Sequence, residues 1–456
     1  MKLRALSLVS LALVLVAVPA LSQTDPGPRN LSSPAAGGPL PSVASNNPLT
    51  ILDFFNDAKE RFEEVETVPE GLGPRFNALG CARCHALPAT GGTSPAVNPQ
   101  ISDAGADGAI NLPPSFVTLS GPVREARFVF FTDSAGNPIS TQPNGHVEPL
   151  FIIAGRSDAG PCTTSVIAQP DFASAAAHNN VIFRIPTPTF GSGLIENIEE
   201  TTLLQYQAST VGNPFGIAGT FNRNGNDGTI ARFGWKAQNK SLEIFAGEAY
   251  NVEMGVTNEL FTQEHPTPEE ERASGLPNPC KLNATPEDHT NFNETAIGTV
   301  SATVQFAMFM RLLAPPTRST TTPGGATSIT NGEALFNTIG CGTCHKSSFT
   351  TFASAITPSL GNATANLFSD LQIHHMGSGL ADNISQGSAG GDQFRTAPLW
   401  GLGQRTFMLH DGRTGNLLTA INAHFSIGSE ANTSKLNFDV LSVAQKQDIL
   451  NFLRSL

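Results

Sequence analysis

Cys81-Ala82-Arg83-Cys84-His85 and Cys341-Gly342-Thr343-Cys344-His345 are two copies of one pentapeptide, Cys-x-x-Cys-His, in a chain of 456 residues. The spacing is that of c-type haem attachment. Two thiols separated by two residues lie on one turn of backbone, where each can add to a porphyrin vinyl group, and the next residue offers an imidazole to iron. The chain is therefore expected to carry two covalently attached haem c groups, with His85 and His345 as the proximal iron ligands. A structural zinc site would gather four ligands from paired motifs, and a thioredoxin-like dithiol expects a βαβ setting. Neither explains a histidine after both cysteine pairs.

The N-terminus reads as an export signal. Lys2 and Arg4 precede an apolar run from Leu6 to Val18, and Ala20-Leu21-Ser22 supplies small residues for cleavage, so residues 1–22 form the expected signal peptide. That run is too short and too weakly flanked for an anchor, and no later stretch is long and apolar enough to span a bilayer. The mature chain is expected to be periplasmic or secreted, with no membrane span, in agreement with the extracytoplasmic attachment of haem c. Haem takes four of the six cysteines; Cys162 and Cys280 remain. In an oxidising compartment a disulfide between them is expected over two separate buried thiols.

The formal charge is −12, and signal removal takes away two basic residues and no acids. This argues against nucleic acid and anionic membranes as partners and permits a small basic electron-transfer protein. Only 14% of residues are charged, with 43 Gly and 33 Pro. That composition describes a loop-rich protein whose core is partly haem.

Residues 23–48 are rich in Pro, Gly, Ser and Asn and read as a flexible leader. Leu49 to Val68 has helical apolar spacing in Leu52, Phe54, Phe55, Ala58, Phe62 and Val65, as do Ile230 to Leu260, Ala296 to Leu313 and Leu417 to Phe425. A terminal helix from Ser442 to Leu456 opens with a capping box, Ser442 and Gln445. Phe128 to Thr132 and Leu150 to Ala154 are the best strand candidates. Pro315 to Gly325 reads as a linker.

An internal repeat crosses that linker. Phe76-Asn77 to His85 matches Phe336-Asn337 to His345, and Phe183-Arg184 to Gly193 is similar to Phe394-Arg395 to Gly403, in the same order. The expected fold is mostly α with long irregular loops and a few short strands. It forms tandem cytochrome c-like domains: 49–314 around the first haem, a linker at 315–325, and 326–456 around the second.

The sixth iron ligands are expected to differ. His424, on the amphipathic segment after His410-Asp411-Gly412-Arg413, is the leading candidate to close the second iron, with Met408 as competitor. In the repeat, the segment matching His424 falls near Asn213 and holds no His or Met. The first iron is then open to a small oxidant or substrate, unless a distant loop supplies a ligand. Trp400, in the repeat turn, is preferred to Trp235 as an electron relay. Glu196 and His178, flanking the first repeat turn, are the candidate proton donors.

These residues resemble the bacterial di-haem oxidoreductase family, often labelled thiol oxidoreductases with two cytochrome c haem sites. The carrying stretches are Gly71 to Asn77, Pro188 to Ile198, Ala231 to Asn258, Phe309 to Pro316, His374 to Asp382, Arg395 to Gly403 and Leu409 to Arg413. More distantly the arrangement is similar to di-haem cytochrome c peroxidases, the di-haem enzyme of tryptophan-cofactor maturation and haem rubber oxygenases. In the peroxidases a Met ligand follows a His-Asp/Ser-Gly turn at a fixed offset, and the same offset from His410 lands on His424. The resemblance thus implies bis-His ligation of the second haem. The peroxidases' inter-haem calcium segment is Arg405-Thr406-Phe407 here, which leaves calcium in doubt. The expected function is a haem-dependent oxidoreductase. A pure electron carrier and an oxygenase acting on an apolar substrate are the alternatives.

Overall fold

The computed structural model describes residues 23–30, 36–45, 51–133, 135–162, 167–264, 280–293, 299–353 and 357–456; the signal segment 1–22 lies outside them. About 32% of the chain is helical. Strands are short, all ladders are antiparallel, and no described strands close a barrel.

Two helix pairs frame the two motifs. Helix Ile51–Glu63 packs on helix Ala302–Leu312, and helix Ala326–Thr338 on helix Val443–Ser455. The first helix buries Phe55, Ala58 and Phe62, the face its spacing predicts. Phe62 meets Phe306 and Phe309 at ring distances of 6.0 and 4.8 Å. In the other pair Phe336 lies 5.4 Å from Phe452. The terminal helix begins where its capping box indicates, with Ser442 and Gln445 bonding reciprocally.

Each half carries the same close approach. Gly191 and Gly401 adopt left-handed backbone, φ 65° and 75°, at the start of short helical turns. A Cβ on Gly193 would collide with the Arg311 carbonyl oxygen, and one on Gly403 with that of Arg454. Each Gly-x-Gly turn is therefore pressed against the last turn of its own half's closing helix. The repeat fails elsewhere. Phe336 sits in a helix with its ring 6.0 Å from His345. Phe76 lies in strand Arg75–Phe76, paired to Phe151–Ile152, and Phe62 faces His85 instead, at 6.1 Å.

Three expectations are corrected. Ile230 to Leu260 is helical only over Leu242–Met254. Residues 230–241 are bridged turns, with Phe233 paired to Asn239 and Ala237 at φ 49°, a backbone that no apolar periodicity signals. The leader is not loose where it is described. Asp25 forms a buried ion pair with Arg454, at 2.7 Å from both Nε and Nη2, and Leu40 N donates to Leu312 O at 2.8 Å. Pro-rich, polar composition cannot build a core, but here other elements supply the partners. The linker does not divide the cores, because the larger one takes in Phe349, Leu360, Leu367, Leu371 and Trp400 from beyond it.

Cys162 and Cys280 are joined as a disulfide. Among the described residues no helix is long and apolar enough to cross a membrane.

Arg454→Met leaves the Asp25 carboxylate buried and unpaired. We expect it to cost about 3–5 kcal/mol, seen as a lower denaturation midpoint, with Asp25→Asn recovering part of the loss. An unchanged midpoint would contradict the docking of the N-terminal segment.

Candidate functional site

Each Cys-x-x-Cys forms a single helical turn, Cys81–Cys84 and Cys341–Cys344, and each following histidine leaves helical backbone as the C-cap. None of the four thiols is in a disulfide, and Cys344 Sγ lies 3.7 Å from His374 Nδ1. His85 Nδ1 lies 3.0 Å from Gly92 O, and His345 Nδ1 lies 3.0 Å from Phe368 O. A carbonyl accepts only, so Nδ1 carries the proton and Nε2 keeps its lone pair. His424 repeats this arrangement, with Nδ1 2.8 Å from Ala420 O at the end of helix Leu417–Ala423. Asn416 starts that helix by capping Thr419 N at 3.1 Å. Burial pushes all three imidazoles below the ordinary value, His345 to about 4 with His424 adding to the effect. All three are therefore neutral, as metal ligands must be.

A cavity of about 230 Å³ is lined by Cys341, Cys344, His345 and His424, with Phe336, Leu399, Leu402, Leu417 and Phe438 as apolar wall. It thus brings together every residue expected at the second centre. Met408, the competing ligand, also lines it. The first cavity, at the Cys81 motif, has a volume of about 150 Å³ and is lined by Cys81, Cys84 and His85, with Phe62, Phe245 and Phe306. Among the described residues His85 is the only imidazole on its wall; Met254 and Met310 are its thioethers. The first cavity sets His85 beside two thiols and the second sets His345 and His424 beside two, each in a largely apolar slot. That donor set fits a tethered porphyrin, and neither wall holds the four paired-motif ligands of structural zinc.

The first cavity also holds charge. In a three-stranded sheet, Glu125–Phe128 pairs with Val181–Arg184 and sets Glu125 opposite Arg184. Glu125, Arg127, Arg184 and Glu253 all line the wall. Burial opposes ionisation of Glu125, but Arg127 and Arg184 outweigh it and hold its carboxyl below the usual value. Burial and the Glu125 carboxylate push Glu253 up to about 8. Glu253 thus keeps a proton at neutral pH and shares it with Glu125, while Asn77 Nδ2 donates to Glu253 Oε2 at 2.7 Å. Two carboxyls with opposed protonation make an acid–base pair.

The proton donors expected from sequence lie elsewhere. Glu196 pairs with Arg311 at 2.6 Å and accepts from Leu242 N at 3.0 Å. His178 is exposed at the end of helix Phe172–Ala177, with Nδ1 2.9 Å from Ser174 O. Neither lines either cavity. Flanking the repeat turn in sequence set Glu196 toward the closing helix, away from the slot. Trp235, and not Trp400, lines both cavities. Its Nε1 donates to Ile185 O at 2.8 Å, and its ring lies 6.3 Å from His410, which stacks on Phe394 at 4.3 Å. At the segment where calcium was in doubt, the Arg405 guanidinium meets the Pro398 and Trp400 carbonyls at 2.9 and 3.3 Å.

Two thiol–imidazole cavities sharing an indole wall define a protein with paired redox sites. Residues 148–456 match the family described as "Di-haem oxidoreductase, putative peroxidase", and the chain belongs to that family. No curated protein matches the chain. Among solved structures, Kuenenia stuttgartiensis hydrazine synthase pressurised with 20 bar xenon is similar at 12% identity over 100% of both chains. Its TM-score of 0.34 is too low to carry an argument.

Infrared spectroscopy of the protein should show a protonated-carboxyl stretch that disappears as pH rises through about 8, the value of Glu253. The sign follows from a raised pKa: the group is neutral below that value and ionised above it. Glu253→Gln should lack the band. A band that persists in the variant would assign the proton elsewhere.

Proposed function

We propose that this chain is an exported di-haem c-type oxidoreductase with one open and one closed centre. The observation that carries the reading is the imbalance of imidazoles among the described residues: His345 and His424 both line one cavity, each with Nδ1 bonded to a carbonyl, whereas His85 is the one imidazole on the wall of the other. Cys341, Cys344, His345 and His424 would hold one haem, which would supply electron transfer. Cys81, Cys84 and His85 would hold the other, which would supply a redox-active iron to a small oxidant or substrate. The repeated Gly-x-Gly turns and helix pairs support tandem cytochrome c-like units, about 49–314 and 326–456, joined through a shared core. The Cys162–Cys280 disulfide supports an oxidising compartment, consistent with removal of residues 1–22 as a signal.

At the open site the chain's residues manage protons and water. Glu253 holds a proton that a bound oxidant can take, and Glu125, kept ionised by Arg127 and Arg184, can accept one back. Asn77 fixes the Glu253 carboxyl. Phe62, Phe245 and Phe306 keep the rest of the slot apolar. Trp235 places one π system in both walls, which supports it as the relay. The external partner in this reading is a small electron-transfer protein, with peroxide-like oxidants as the substrate class.

A second reading, a pure electron carrier, is favoured by Met254 and Met310, whose thioethers line the first cavity. Electron paramagnetic resonance of the oxidised protein decides between them. We expect one high-spin and one low-spin iron; two low-spin signals would support the carrier. His424→Ala should turn the low-spin centre high-spin and leave the other unchanged, whereas conversion by Met408→Ala would make Met408 the ligand. Trp235→Phe should slow electron redistribution between the centres after rapid partial reduction, while Trp400→Phe should not.

A further inference from the structure

The second cavity contains two guanidinium groups that no carboxylate among the described residues pairs with. Arg395 and Arg405 both line it, and they are only 7% and 9% exposed. Arg395 Nε donates to Gly234 O at 3.0 Å, and its two terminal nitrogens have no protein acceptor among the described residues. Arg405 uses Nη2 on the carbonyls of Pro398 and Trp400 and leaves Nη1 without one. Burial pushes both groups down to about 10, and the charge of Arg405 adds to the effect at Arg395.

The first cavity is built differently. There two of the three guanidinium groups are matched, Arg127 by Glu125 and Arg184 by Asp382 at 2.7 Å, while Arg124 lies over the Phe183 ring and donates to Phe116 O. Other charges on the second wall are also matched: Lys435 pairs with Asp439, and His374 is held between Asp370 at 3.0 Å and Glu430 at 2.8 Å. Two adjacent buried cations without a counter-charge are costly. A guanidinium fork is suited to a planar carboxylate, which it can bind through two parallel hydrogen bonds. The wall is thus shaped for a ligand bearing two carboxylates.

We propose that Arg395 and Arg405 form a carboxylate clamp that holds the two propionates of the second haem. This rests on the reading above that a porphyrin is tethered at Cys341 and Cys344. A porphyrin tethered there brings its own pair of carboxylates into this same cavity, so no separate dianion is needed. The clamp is also tied to the relay. Arg395 N donates to Trp235 O at 2.8 Å, and its side chain bonds the preceding carbonyl, Gly234 O. A propionate on Arg395 therefore sits on the segment that lines both cavities. Arg395 and Arg405 act as positioning residues: they fix the cofactor's edge against Trp235, and their charge favours the reduced, less positive iron.

The test uses the mature holoprotein. Mass spectrometry first counts covalent porphyrin on the peptide containing Cys341 and Cys344; none there would overturn the parent reading and leave the clamp without its ligand. With porphyrin present, a crystal structure of the unmodified protein should put propionate oxygens at hydrogen-bond distance, about 3 Å, from both guanidinium groups. Propionates turned to solvent or to other residues would overturn the clamp and leave the haem reading intact. Spectroelectrochemistry supplies the variant arm. Arg395→Gln and Arg405→Gln should each shift the low-spin centre to lower potential with the high-spin centre unmoved, and Arg395→Lys should restore most of the shift. Unchanged potentials in both Gln variants would overturn the clamp.

Discussion

An imidazole serves as a ligand only when its other nitrogen is spoken for. In this chain the same hydrogen bond, Nδ1 to a main-chain carbonyl, is made three times: His85 to Gly92, His345 to Phe368 and His424 to Ala420. Each bond selects the tautomer, aims Nε2 and holds the ring neutral in a buried place. Each also depends on a different piece of backbone. Gly92 belongs to the tight loop after the first motif, where Leu87 and Thr93 bridge. Phe368 is set in left-handed backbone at φ 51°. Ala420 is one turn back on a helix capped by Asn416. The scaffold's irregular loops are therefore part of the site and not packing around it.

The second constraint is where charge is left unmatched. Around the first cavity, Glu125 and Glu253 stand among the guanidinium groups of Arg124, Arg127 and Arg184, and one proton is held on the Glu125–Glu253 pair. Around the second, Arg395 and Arg405 remain without a carboxylate. A slot that retains a proton suits bond-making with a small oxidant, while one that retains positive charge suits a fixed cofactor that only exchanges electrons. The two halves share a packing scheme, seen in Gly193 against Arg311 and Gly403 against Arg454, yet differ in electrostatics. A duplicated unit with diverged charges accounts for both facts.

Much of this was legible where the cause is local. The Cys-x-x-Cys-His turns, the Ser442–Gln445 capping box and the face of Ile51–Glu63 depend on residues within a few positions of each other. The pairing of Cys162 with Cys280 followed from elimination and compartment, and the amphipathic segment and the family offset both pointed to His424, which lines the Cys341 cavity together with Met408. What was missed depends on contacts between distant segments. Glu125 and Glu253 lie on a strand and a helix far apart in the chain, and nothing near either one marks it as half of a pair. Trp235 was passed over for Trp400 because the repeat drew attention to the latter. Its own segment has the apolar spacing of a helix, whereas Gly234 and Ala237 both take positive φ and turn the chain there. The leader's order comes from Arg454, at the other end of the chain, which leader composition could not reveal. The match of Phe76 with Phe336 was real in sequence, but Phe62 holds the equivalent place beside His85.

The unequal character of the two centres is tested most directly by titrating the oxidised holoprotein with cyanide while porphyrin per chain is counted. Two porphyrins and one tightly bound cyanide per chain, with the low-spin centre's spectrum unaltered, is the predicted result. Binding at both centres or at neither, or fewer than two covalently held porphyrins, would contradict it.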